Sequence, residues 1–140
     1  MAVGNAEIRG QLRNALLVER AGLDSSCSVV CEPRHSTWFT GEADKLLAEH
    51  QVARVAADPV SIAEAGQPGG WTGLVYVRLH GTPRLYYSKY TDDYLDKLAP
   101  KLAGWAQSAP LWCIFDNTAE GAATLNALGI IERLGLAKKE

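Results

Sequence analysis

The chain has 140 residues, of which 47% are hydrophobic, enough for one domain with its own core. Fourteen basic and sixteen acidic side chains give a formal charge of −2, with no basic stripe of the kind a phosphate backbone demands, so nucleic acid is not the expected partner. No run approaches the ~20 apolar residues of a membrane span, so no membrane partner is expected either.

In chain order, the opening MAVGNAEIRGQLRN lacks the apolar stretch of a secretory leader. A helix is expected from about Glu7 to Arg20, with Ile8, Leu12, Ala15 and Leu16 at near-helical spacing. Cys27 and Cys31 follow in an extended segment, about 13 Å apart at the usual rise per residue. That is too far for a disulfide, and three cysteines do not make a disulfide framework. A reduced, cytoplasmic protein is expected.

Four strand-like runs come next: Ser28 to Pro33, Val52 to Asp58, Gly73 to Gly81 and Leu111 to Asp116. Helical spacing marks Thr40 to His50, Ser88 to Gln107 and Thr118 to Leu134. Thr40 has the hydroxyl of an N-cap, and Glu42 suits the positive end of the helix. Pro59 to Trp71, with Gly66, Pro68, Gly69 and Gly70, reads as a long loop with one helical turn. Strands alternating with helices predict right-handed βαβ units and a parallel sheet in an α/β fold, with the whole chain, 1–140, forming one domain.

Strand parity separates two surfaces. In LVYVRLH, Val75, Val77 and Leu79 make a face for packing under helices, while Leu74, Tyr76, Arg78 and His80 share the other. Val30, Glu32 and Arg34 share one face of the first strand, and Asp58 shares parity with Arg54 and Ala56. Polar residues thus gather at the carboxyl ends of four consecutive strands, where (β/α) barrels carry their catalytic groups.

The segments "CEPRHSTWF", "VYVRLHGT" and "WCIFDNTAEGAATLNAL" resemble the YecE-like family, domain of unknown function 72. Its pattern falls on Glu32, Arg34, His35, Ser36 and Trp38, then Arg78, His80 and Gly81, then Phe115, Asp116, Asn117 and Thr118. Asp58, Tyr87 and Tyr90 also fall where the family tends to have them. The resemblance implies a TIM-like barrel and no established activity. A full barrel takes roughly 250 residues, and the motifs here belong to the family's carboxyl-terminal half. The expectation is therefore four parallel strands forming about half of a TIM-like (β/α) barrel. Such a unit exposes strand edges and an inner face. A homodimer is expected to cover them.

Two readings of the charged strand ends stand side by side. In one, Glu32, Arg34, Arg78 and Asp58 form an ion network that holds the barrel mouth together, contributing little net stability because desolvation offsets attraction. In the other, Arg34 and Arg78 grip a small polar or anionic metabolite, with Glu32 or Asp58 as base. His80 beside Arg78 is either a neutral general base or a partner of Glu32 or Asp116. The catalytic candidates are Glu32, His80 and Asp58; the ligand-binding candidates are Arg34, Arg78, Asp116, Asn117 and Tyr87. Asn117 reads first as a helix N-cap. Tyr87, with Trp38, Tyr86 and Tyr90, either lines a pocket or plugs the barrel end. His35 has the wrong parity for the cluster.

No metal is expected, because two arginines would repel a dication and no ligand spacing supports one. No cofactor is expected, since no phosphate loop or nucleophile elbow is present. Whether the chain is an enzyme stays open between a binding or catalytic protein, a self-associating remnant and a disfavoured nucleic-acid-processing barrel.

Overall fold

The computed structural model describes residues 27–136; the helix expected between Glu7 and Arg20 lies outside them. Strand β1 (Val29–Cys31) leads through a 3-10 turn (Ser36–Phe39) into helix α1 (Gly41–Glu49). The Thr40 hydroxyl accepts a hydrogen bond from the Ala43 N–H, and Glu42 and Asp44 occupy the first turn. The sequence places this start correctly because cap and charge act within one turn. Strands β2 (Val52–Arg54) and β3 (Ala56–Asp58) form one extended run broken at Val55. A second 3-10 turn (Ala63–Gly66), a two-residue strand β4 (Gly69–Gly70) and strand β5 (Val75–Leu79) follow. Helix α2 (Asp92–Trp105), strand β6 (Leu111–Phe115) and helix α3 (Ala122–Arg133) complete the described chain.

Pairing is parallel between β1 and β2, between β3 and β5, and between β5 and β6. The Val55 N–H still reaches the Cys31 carbonyl at 2.9 Å, so the run from Val52 to Asp58 carries β1 on one side and β5 on the other. These parallel pairs agree with the βαβ reading.

The crossover from β3 to β5 departs from it. Gly69 and Gly70 turn back and pair antiparallel with β2, a feature the sequence pass left inside a loop. Side chains explain it. Arg54 is buried, and its guanidinium bonds Asp44 at 2.8 Å and the carbonyls of Glu64 and Gln67 at 2.9 and 3.2 Å. Glycine is required at Gly70, where φ is +65° and a Cβ would stand 2.7 Å from the Val52 carbonyl oxygen, while a Cβ on Gly69 would press on that guanidinium.

On β5, Val75, Val77 and Leu79 are buried against Leu95, Leu98 and Leu102 of α2 and Ile130 of α3. Each such side chain contributes roughly 1.5–3 kcal/mol of burial. Leu46, Leu47 and Val52 form a second cluster, with Trp38 packed against it; this tryptophan lies under a helix. Among the described residues no helix is long and apolar enough to cross a membrane.

Candidate functional site

On the face opposite the helices, Ala57, Arg78 and Ile114 stand in register across three strands. Glu32 just past β1, Arg78 in β5, His80 just past β5, and Asp116 just past β6 meet there. Arg78 Nη1 bonds Glu32 Oε2 at 3.1 Å, and Nη2 bonds Asp116 Oδ2 at 2.8 Å. His80 bridges the same two acids, with Nε2 at 2.8 Å from Glu32 Oε1 and Nδ1 at 3.0 Å from Asp116 Oδ2. The four side chains close a ring. Arg34 Nη2 joins at its edge, 3.1 Å from Glu32 Oε1.

Burial is graded across this ring. The His80 side chain is 2% exposed, that of Arg78 39% and that of Arg34 70%. Burial alone would lower the Arg78 pKa, but the bond to Glu32 and the charges of Asp116 and Glu32 more than offset that and hold it above its usual range. A neutral imidazole has one N–H and one lone pair. Carboxylate oxygens at both His80 nitrogens are hydrogen-bonded together only when the triad carries one extra proton, on the imidazole or on either acid. The arrangement can therefore do two things: present guanidinium donors to an anion, and pass a proton from Asp116 through His80 to Glu32.

A loop from Gly81 to Tyr90 roofs the histidine. The Tyr90 hydroxyl donates to Asp58 Oδ2 at 2.7 Å and accepts from the Gly81 N–H at 2.8 Å. The Thr82 hydroxyl donates to the same Asp58 oxygen at 2.7 Å, and the His80 N–H donates to the Asp58 carbonyl at 2.8 Å. Asn126, buried on α3, takes both the N–H and the carbonyl of Tyr90 at 3.0 Å. Asn117 Nδ2 bonds the Ser88 carbonyl and Asn126 Oδ1, both at 2.9 Å.

Several expected site residues are thus placed apart from the ring. Asp58 is in register with Leu79, so its carboxylate lies on the helix-covered face, beside a cleft of about 250 Å³ that also contacts Tyr94, Lys101 and Trp105. Parity within one strand says which residues share a face, and only the register with Leu79 says which face that is. Asn117 is fully buried and clamps the loop, and the α3 N-cap is Gly121, at φ +76°, instead of Asn117. Tyr87 is exposed, with the Arg84 guanidinium carbon 3.7 Å from its ring centre. His35 is exposed and caps the first 3-10 turn through Nδ1. Among the described residues no group of three or more His, Cys, Asp or Glu side chains is placed to hold a metal ion.

Two participants escaped the sequence reading, Thr82 and Asn126, while Tyr86 was expected only as one of four aromatics lining a pocket or plugging the barrel end. Asn126 had a signal, an amide in the otherwise apolar LNALGII. For Tyr86 the sequence could not show the backbone at φ +67° or the ring set edge-on to His80 at 5.8 Å.

A parallel α/β unit with its polar groups at the carboxyl ends of the strands is the class this geometry defines. The chain belongs to the DUF72 family, a protein family of unknown function whose model matches residues 6–140; the YecE-like motifs mark the same family. Its structure is similar to the DUF72 family protein of Enterococcus faecalis V583 (18% identity, TM-score 0.75), covering 97% of this chain and 55% of that one. It is equally similar to the DUF72 family protein of Thermotoga maritima MSB8 (19% identity, TM-score 0.75), covering 94% of this chain and 53% of that one. The chain thus spans just over half the length of these relatives. No curated protein matches it.

Proposed function

We propose that the described strands form about half of a TIM-like barrel whose strand-end ring binds a small polar or anionic metabolite. One observation carries this reading: Arg78 is tied to two carboxylates and still keeps 39% of its side chain exposed. Of its five N–H donors, two are used by Glu32 and Asp116, leaving three. Arg34, largely exposed, pairs with the same Glu32 that Arg78 bonds. An anion seated between the two guanidiniums would take paired, charge-assisted bonds. If the bound metabolite is transformed, Glu32 is the group that exchanges a proton with it, and His80 with Asp116 restores that proton. Asp58, Asn117 and Tyr90 position the roof loop and do not touch the ligand. Calorimetric titration with inorganic phosphate tests the reading: saturable binding in the parent, lost in Arg78→Met, is the expected outcome.

A second reading, self-association, is favoured by a different observation. Trp112 on β6 is exposed, as are Leu125, Leu128 and Ile131, spaced three apart on α3. An apolar stripe of this kind beside an edge strand is a docking surface. We propose a second copy of the chain as its occupant, burying over ~1,000 Å². Two four-stranded parallel units related by a twofold axis along the strands would keep every pairing parallel and supply eight strands, the number in a (β/α)8 barrel. The free thiols of Cys27, Cys31 and Cys113 support a reducing, cytoplasmic setting.

A further inference from the structure

We infer that the roof loop is the ligand-selecting wall of the site, and that Tyr86 makes it prefer an anion carrying a flat ring. The inference rests on the anion reading above and deepens it.

Tyr86 occupies left-handed backbone space, φ +67°, where glycine or asparagine would be at ease and a tyrosine is strained. Two bonds hold it there: its N–H donates to the His80 carbonyl, and its own carbonyl accepts from the Ala119 N–H at 3.0 Å. The loop's root is equally fixed, by Asp58 and Asn126 on Tyr90 and by Asn117 on Ser88. Core packing does not account for the residue, since it is 46% exposed. What the strain secures is ring placement: edge-on to His80, with interplanar angle 89°, over the imidazole that joins Glu32 to Asp116. Strain held by surrounding bonds is a mark of working sites.

The neighbouring side chains are exposed as well. Leu85, Tyr86 and Tyr87 are consecutive exposed large side chains, and the Arg84 guanidinium lies over the Tyr87 ring. A polar loop would hold the fold as well as this one; an aromatic ring set against His80, which bonds the same two acids as Arg78, suits a ligand with two parts. The anionic group meets Arg78 and Arg34, and a flat ring attached to it packs against Tyr86 in an offset or edge arrangement. An aryl phosphate and an aromatic carboxylate share this chemistry.

Titrations of the parent, Tyr86→Gly and Tyr86→Asn with inorganic phosphate and with phenyl phosphate test the inference. The parent binds phenyl phosphate about tenfold more tightly, the worth of one ring contact of about 1.4 kcal/mol. Both variants bring that ratio close to one. Neither lowers the urea midpoint beyond the effect of losing ring burial, because glycine and asparagine relieve the strain; should Tyr86→Gly fail to fold, Tyr86→Asn decides. Phosphate binding with no preference in the parent, or a preference surviving both substitutions, overturns this inference alone. A parent that binds neither anion overturns the anion reading and this inference with it.

Discussion

His80 and Glu32 are 48 residues apart in sequence and meet at 2.8 Å. Glu32 follows β1 and His80 follows β5, with the run from Val52 to Asp58 lying between the two strands. Ala53 (in register with Val30), Val55 and Ala57 (in register with Arg78) line that face of the intervening run. A larger side chain at Ala57 would stand between the acid and its partners.

Arg78→Met tests how far the ring supports the fold. The substitution leaves Glu32 and Asp116 with His80 as the link between them. Removing one partner of a fully buried pair costs roughly 3–5 kcal/mol, and an exposed pair is worth ~0–1 kcal/mol. Arg78 lies between these limits at 39% exposure, so a urea melt should show a loss of about 1–2 kcal/mol. A loss near the buried limit would mean the ring exists to hold the fold.

Asn126→Leu keeps the volume and removes the amide. It strands the N–H and carbonyl of Tyr90 and one bond of Asn117. Unmet buried groups cost about 1–3 kcal/mol each, so the unfolding free energy from a urea melt should fall by about 3 kcal/mol or more. Hydrogen exchange should accelerate from Gly81 to Tyr90 while the β5 amides stay protected.

Much of this was legible in the sequence, and the limits have physical causes. The βα order, the Thr40 cap, the buried face of β5 and the acid–base clustering all follow from local periodicity and parity. Asp58 was misgrouped because a strand's faces look alike until its register with Leu79 is known. Asn117 read as a cap because N-capping is local, whereas its partners Ser88 and Asn126 lie 29 and 9 residues away. The antiparallel turn at Gly69 depended on a guanidinium 15 positions earlier, beyond any local pattern.

Alkali should unfold the protein for a defined reason. Burial pushes the Cys113 thiol from its usual 9.0 up to about 12. Burial, reinforced by the Asp58 carboxylate, raises the Tyr90 and Tyr94 phenols as well. Each folded-state pKa is raised, so the folded state holds more protons and its stability falls as pH rises. For Cys113 the contribution is complete below about 9 and lost through about 12. Tyrosinate absorbance should therefore rise from Tyr90 and Tyr94 only together with loss of secondary structure. Their ionisation in a folded protein would contradict this packing.

Light scattering tests the proposed seam. The parent should have twice the chain mass at micromolar concentration, and Leu128→Glu, which puts a charge in the α3 stripe, should return it to the chain mass with its helical signal kept. A parent of single chain mass would remove the seam and leave the strand-end ring untouched.

The most direct test of the central claim is nuclear magnetic resonance of the arginine side chains during a phosphate titration. The account predicts saturable shifts of the Nε–H signals of Arg78 and Arg34, smaller shifts at Gly81, and no response in Arg78→Met. Shifts confined to Lys101 and Trp105 around the helix-side cleft, or no saturable shift at either arginine, would contradict it.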